Sequence, residues 1–410
     1  MEKGLFSCVS INETNPKWSE AIKRQKPIYQ KEGDIRSIFT RDYNRILHCN
    51  SYRRLKHKTQ VFFATRNDHI CTRIEHVNHV ASVSYAIANF LGLNTELTTA
   101  IAIGHDLGHA PFGHTGERII SDIALRELGQ KFWHEKNSLR FVDKCDTLEN
   151  PEGKEENLNL TYAVRDGIIC HCGEVSDNSL SPREEAIDLT RLQSASEVAP
   201  FTWEGCVVKI SDKISYLGRD IEDALSLGIL NKSEKARLSE IFNTTIKSGI
   251  ENINNTVLIH NFTADLCSHS SPQNGIRLSE NYFKLINMIL HFNCECIYEH
   301  KRLRHYHEYA NLIIVSIFDA LNEMYQGTDT FNDYNLKEWT KRFPMLTKHF
   351  YGWLMKFSDL NAAGIRIHEY NNELLYYLYD KLDYIQAVID FISGMTDQFA
   401  LSIFNEITSF

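Results

Sequence analysis

The chain has 410 residues, 43% hydrophobic and 24% charged, with a formal net charge of −9 at pH 7. Those figures exclude a disordered or fibrous polypeptide and supply a core for one large domain or two to three ordinary ones. The negative balance also excludes a protein that coats nucleic acid through bulk positive charge. Only eight prolines are present, so long helices can run uninterrupted.

Residues 1–34 read as an N-terminal arm, because Pro16, Pro27 and Gly33 break any periodicity. The first thirty residues hold no apolar signal core, and the apolar run Leu312-Ile-Ile-Val-Ser-Ile-Phe318 meets Asp319 at once. A soluble, cytoplasmic chain with no membrane partner is expected. From residue 35 to 230 apolar positions recur every three or four residues, which predicts a helical body. Within it, residues 146–159 are polar, carry Pro151 and Gly153, and read as a surface loop. Residues 176–196 read as a second connection. Residues 231–277 are polar and Asn-rich, a predicted insertion or subdomain, and residues 278–410 predict two or three helices that pack back on the body. The fold class is all-α.

Ten cysteines are scattered without a C-x₂-C pair. Cys170-His171-Cys172 and Cys294-Glu-Cys296 are the close pairs, and nothing completes a zinc knuckle, so reduced packing thiols are expected. Local charge reverses between residues 35 and 58, where Arg36, Arg41, Arg45, Arg53, Arg54, Lys56 and Lys58 face Asp42 alone. Leu47, Tyr52 and Leu55 interleave with these cations. This predicts a half-buried segment whose guanidinium groups can hold a polyphosphate, against the plainer reading of a solvated basic face.

Chemistry concentrates in Ile101-Ala-Ile-Gly-His105-Asp106-Leu-Gly-His109-Ala-Pro-Phe-Gly-His114-Thr-Gly-Glu117. An apolar helix over residues 97–107 ends in adjacent imidazole and carboxylate groups, then breaks at Gly108 and Pro111. Burying such a pair without a partner costs several kcal/mol, so a metal ion is a natural companion. Upstream, Arg73-Ile-Glu-His76 opens a helix with His76 facing inward. Downstream, Ile210, Ile214, Leu217, Ile221 and Leu225 form one stripe, and Asp212, Tyr216, Asp220 and Asp223 another. Tyr216 among carboxylates suggests a pocket wall rather than a solvated face. His76, His105, Asp106 and Asp212 thus offer two imidazoles and two carboxylates from three helices, a set suited to Mn, Fe, Co, Ni or Zn and able to accept Mg. His114 and Glu117 are three apart at a helix start and share a face, so the carboxylate can fix the imidazole tautomer.

These residues match the H…HD…D pattern of the HD superfamily of metal-dependent phosphohydrolases. More narrowly, the chain resembles the deoxyguanosinetriphosphate triphosphohydrolases and their deoxynucleotide-hydrolysing relatives. The resemblance is carried by Arg36-Ser-Ile-Phe-Thr-Arg-Asp42 through Tyr52-Arg-Arg-Leu-Lys-His-Lys-Thr-Gln-Val-Phe62, by Arg73-Ile-Glu-His76, and by the run from His105 to Glu117. Leu158-Asn-Leu-Thr-Tyr162, the stretch 210–225 and Asp390-Phe-Ile-Ser-Gly-Met-Thr-Asp397-Gln-Phe-Ala400 extend it.

The resemblance implies an HD-domain helical fold with additional C-terminal helices. It implies hydrolysis of a deoxynucleoside triphosphate, dGTP the leading candidate, to deoxynucleoside and tripolyphosphate by water attack at the α-phosphorus. It implies one divalent ion per subunit, Mn or Mg foremost, on His76, His105, Asp106 and Asp212. His114 with Glu117 would be the activating dyad and His109 would touch the α-phosphate. Arg73 and Lys213 would hold phosphates, Tyr216, Asp220 and Gln60 the sugar, and His134 would be a further active-site histidine. Arg53 and Arg54 would either share the phosphates or serve as ion-pair residues. A homo-oligomer (tetramer or hexamer), a nucleotide effector and single-stranded DNA are further implied partners. Lys131, Glu135, His79 and Arg219 depart from the usual family residues, which touches base selectivity and any effector site but no metal ligand. The other readings are an HD nucleotidase or phosphodiesterase on mono- or cyclic nucleotides, and a non-catalytic single-stranded nucleic-acid-binding relative.

Overall fold

A computed structural model describes residues 2–29, 33–63, 67–172, 178–194, 197–246, 254–361 and 365–409. The chain is mostly helical, as its periodicity predicts. In order come α1 (Trp18–Ala21), α2 (Ile38–His48), α3 (Asn50–Arg54), α4 (Arg73–Leu91), α5 (Thr95–Gly104) and α6 (Gly113–Leu128). Then follow α7 (His134–Arg140), α8 (Tyr162–Ile169), α9 (Trp203–Ser226), α10 (Lys232–Ile246), α11 (Asn255–His269) and α12 (Glu280–Asn293). Last are α13 (Leu303–Glu323), α14 (Asp333–Arg342), α15 (Pro344–Phe357), α16 (Ile365–Glu369), α17 (Lys381–Ser393) and α18 (Asp397–Thr408). No single helix among the described residues is long and apolar enough to cross a membrane.

The residues form two compact units, each drawn from three stretches of chain. The first comprises Met1–Ile46, Asn67–Asp106 and Leu160–His305; the second comprises Leu47–Arg66, Leu107–Asn159 and Tyr306–Phe410. The four segments expected from composition are consecutive, whereas each of these units draws on three separate stretches. Composition changes where loops fall, whereas a unit is defined by which helices return to one another.

In the first unit α4 packs on α5 and α9, with α8 beside them and α11 and α12 against α9. Val77, Val80, Ile87, Leu97, Ile101, Ile168, Val207, Ile214 and Leu217 fill the interior. Residues 2–29 join this packing rather than standing off as an arm. Phe6 and Ile11 are buried, and the buried Glu204 carboxylate accepts hydrogen bonds from Ile11 N and Asn94 N, both at 3.0 Å. The polar stretch after residue 230 is mostly two helices, α10 and α11. Leu238, Phe242, Leu258, Phe262 and Leu266 bury a stripe of each at helical spacing. Residues 247–253 lie outside the described residues, as do 176–177 and 195–196 of the predicted second connection.

The second unit centres on α6, α13, α15, α17 and α18, with Ile120, Ile314, Phe318, Phe350, Tyr384 and Ile389 in its core. The C-terminal region holds more helices than expected, because it is cut near Gly327, at Pro344 and at Gly394. The predicted loop over 146–159 contains a short antiparallel hairpin, Thr147–Glu149 with Glu155–Asn157, turning at Gly153 with φ +78°. The basic segment is half-buried as predicted, but several of its cations already have partners. Arg36 and Arg41 both pair with Asp34, which lies one residue before the segment, and Arg24 reaches the buried Asp42 at 2.6 Å. Lys58 is buried and donates to the backbone carbonyls of His109 and Ser393.

Candidate active site

In the first unit α4 opens with a capping box: Glu75 accepts from Thr72 N at 2.7 Å, and the helix closes at Gly92 with φ +82°. That start sets Arg73 and His76 on the buried first turn. Helix α5 stops at Gly104, three residues sooner than predicted, and His105 and Asp106 lie in the turn that follows. Asp212 comes from the middle of α9, whose acidic and apolar stripes run as the sequence predicts. All four side chains are at least nine-tenths buried or nearly so.

Their donor atoms converge. His76 Nε2 lies 2.9 Å from Asp212 Oδ1 and 4.0 Å from Asp106 Oδ2. His105 Nε2 lies 3.5 Å from Asp106 Oδ1 and 3.8 Å from Asp212 Oδ1. An octahedral ion with bonds of about 2.1 Å spaces adjacent ligands by about 3.0 Å and opposite ones by about 4.2 Å, so these separations suit a shared cation. His105 Nδ1 sits 2.6 Å from the Ala102 carbonyl, so it carries the proton and leaves Nε2 as the ligating atom. Burial disfavours the charged form of His76, but Asp212 and Asp106 outweigh it and raise its pKa. Burial likewise opposes ionisation of Asp212, but His76, His105 and His171 bring it down to about 2. Such a set holds a divalent cation well.

Arg73, expected on phosphates, places its guanidinium on Asp106 Oδ2 at 2.6 Å, where it orients the carboxylate. Asp220 is buried, accepts a 2.6 Å hydrogen bond from Tyr298 Oη, and has its carboxyl pushed up to about 7 by burial. Tyr216 and Lys213 are half-buried on α9. Sequence reasoning missed His171 and the Asp220–Tyr298 pair. His171 stands in a Cys-His-Cys run weighed only for its thiols, and Tyr298 is remote in sequence from α9.

The second unit holds the three other candidate site histidines, His109, His114 and His134. His114 Nδ1 meets Glu117 Oε2 at 3.1 Å on the first turns of α6, as the spacing predicts. The other carboxylate oxygen receives His134 N at 2.8 Å and His134 Nδ1 at 3.0 Å. The His134 ring stacks on His109 at 3.9 Å. Burial would raise the Glu117 carboxyl, but the charges and hydrogen bonds of His134, His114 and His109 hold it far below the usual range. Glu117 therefore stays ionised. Gln60 is buried in this unit too.

Residues 107–112, which bring His109 toward His114, are held by side chains on all sides. Gly108 N donates to Ser138 Oγ at 2.9 Å and Asn137 Nδ2 donates to Gly108 O at 2.6 Å; a Cβ at Gly108 would overlap the Ser138 backbone. Lys58 takes the His109 carbonyl, and Tyr306 Oη donates to Phe112 O at 2.8 Å. Asp397 accepts from Phe112 N at 2.8 Å and from Thr59 N at 2.9 Å. These bonds hold Phe112 at φ +65°, a left-handed conformation that a bulky residue adopts only under such constraint.

The HD domain family matches residues 73–217, the stretch from the first turn of α4 to the middle of α9. The chain is 31% identical over 381 residues to a deoxyguanosinetriphosphate triphosphohydrolase-like protein of Clostridium tetani, covering 93% of this chain and 88% of that protein. It is 32% identical over 379 residues to the like-named protein of Caldanaerobacter subterraneus, with 92% and 87% covered. Over 200 residues, 49% of this chain and 50% of the other, it is 41% identical to the one from Desulfatibacillum aliphaticivorans. With an HD domain and that breadth of similarity, the chain belongs to the deoxyguanosinetriphosphate triphosphohydrolase-like family of HD-domain phosphohydrolases.

Proposed function

We propose that the protein hydrolyses deoxynucleoside triphosphates, dGTP foremost, to deoxynucleoside and tripolyphosphate by water attack at the α-phosphorus. The observation that carries this reading is the trio His76, His105 and Asp212, whose candidate ligand atoms all lie within 4.8 Å of one another, with Asp106 Oδ1 3.5 Å from His105 Nε2 and its Oδ2 4.0 Å from His76 Nε2. A divalent cation held there, Mn or Mg first among Mn, Mg, Fe, Co, Ni and Zn, neutralises charge on a phosphoryl oxygen and lowers the pKa of water. The names of the full-length relatives support the substrate class.

The protein's own groups divide the remaining work. Glu117 holds the His114 Nδ1 proton and leaves Nε2 to take the proton of the attacking water. His109, stacked on His134, meets the α-phosphate, and Glu117 orients His134 as well. A triphosphate carries about four negative charges, which Arg73 and Lys213 offset, Arg73 while also steadying Asp106. Tyr216, Asp220 and Gln60 bind the sugar. Assembly into a homo-oligomer belongs to the same reading.

The test is a product assay with Mn²⁺ or Mg²⁺ and each dNTP, alone and with the other three. Nucleoside with tripolyphosphate is the expected result. Orthophosphate release, or cleavage of monophosphates alone, would move the protein to the nucleotidase reading, and inertness toward every nucleotide would defeat an enzymatic role.

A further inference from the structure

A third imidazole belongs beside the four-group set. His171, just beyond the end of α8, is 1% exposed. Its Nδ1 lies 2.7 Å from the Ile168 carbonyl, repeating the arrangement of His105 Nδ1 on Ala102 O at 2.6 Å. In each, the proton sits on Nδ1 and Nε2 is the nitrogen able to ligate. The His171 ring stands edge-on to His105 at 4.7 Å, and the candidate ligand atoms of His105, Asp106 and His171 all lie within 4.8 Å of one another. Its backbone is pinned on both sides, because Lys209 of α9 donates to the carbonyls of Cys170 and Cys172. A histidine so buried, so fixed and so close to a ligand pair is placed as a ligand is placed.

We propose that His171 is a fifth protein ligand of the same ion, giving a centre of three imidazoles and two carboxylates that selects a transition-metal ion over Mg²⁺. The proposal rests on the metal site of the functional reading and sharpens its choice of ion. Imidazole nitrogen suits Mn, Fe, Co, Ni and Zn, whereas Mg²⁺ prefers oxygen and keeps its waters. Three nitrogens leave Mg²⁺ poorly served.

The experiment uses the full chain and binding readouts alone. Co²⁺ and Mg²⁺ affinities are measured by calorimetry for the wild type, His171→Gln and His105→Ala. His171→Gln should weaken Co²⁺ by about ten- to a hundredfold and Mg²⁺ far less, narrowing the preference between them. Pulsed EPR of the wild type loaded with Cu²⁺ should count three coupled imidazoles, a readout that needs no variant to fold. Two imidazoles, or an unchanged Co²⁺ affinity in His171→Gln while His105→Ala loses it, would overturn the proposal and leave the functional reading standing. A second ion per chain that disappears with His171 would also overturn it. A wild type that takes up no stoichiometric metal would overturn both.

Discussion

Asp397 offers a sharp test of how the catalytic histidines are positioned. It lies 285 residues from Phe112 in sequence, yet its carboxylate accepts Phe112 N on one oxygen and Thr59 N on the other. In Asp397→Asn the amide nitrogen replaces one acceptor with a donor facing a donor, so one buried N–H loses its partner. Such a group costs about 1–3 kcal/mol, and Phe112 has less to hold it at φ +65°, a conformation that costs about 1–3 kcal/mol on its own. Residues 109–112 should then relax toward ordinary backbone geometry. A displacement of about 1 Å at a catalytic group is worth roughly a hundredfold in rate. We therefore expect kcat for dNTP hydrolysis to fall ten- to a hundredfold, on that same scale, with metal affinity unchanged because residues 109–112 include none of the proposed metal ligands. Steady-state kinetics paired with calorimetric metal titration reads both quantities. A wild-type kcat, or loss of metal affinity in step with activity, would refute the reasoning.

Other outcomes are as definite. His105→Ala and Asp212→Ala should abolish metal binding and turnover together. His114→Ala should bind metal normally and lose about 10²–10⁴ in kcat, and near-normal turnover in that variant would remove His114 as the base. Glu117→Gln should lower kcat, since the amide can no longer accept from both His114 and His134 through two carboxylate oxygens; an unchanged kcat would separate Glu117 from the chemistry. Asp220 is raised to about 7 by burial, so the folded protein holds a proton that the unfolded chain has already released above its ordinary value of 3.8. Wild-type stability should therefore fall as pH rises through that window, and Asp220→Asn should gain on it. From about pH 5 to about pH 7 the relative gain is at most about 3 kcal/mol. Denaturant unfolding of the metal-free proteins across that range checks the sign, and a constant difference would contradict it.

The proposed donor residues were legible in sequence because each element that carries them announces itself locally. Thr72 and Glu75 mark the start of α4, the apolar run before His105 marks a buried helix end, and the stripe from Ile210 to Leu225 marks the two faces of α9. The His114–Glu117 pair followed from helical spacing alone. The second half of that arrangement did not. His134 shares Glu117 from seventeen residues away across a helix break, and no periodicity reports such a contact. His171 went unread as a ligand because its signal is a backbone carbonyl three residues back and a neighbouring ring, both matters of geometry. Arg73 looked like a free cation for phosphate, yet it sits on Asp106.

Periodicity and residue type thus determine the all-helical class and single out the proposed donor residues and the His114–Glu117 pair, since these depend on spacing within one helix or on chemistry that cannot be buried without a partner. Tertiary packing decides the rest. The chain forms two units that each draw on three stretches of sequence, its basic stretch spends several cations on Asp34 and backbone carbonyls, and residues 107–112 are held by Lys58, Asn137, Ser138, Tyr306 and Asp397. Those partners are scattered over more than three hundred residues. Their grouping follows from which helix faces pack together, a property of the whole fold that no local stretch encodes.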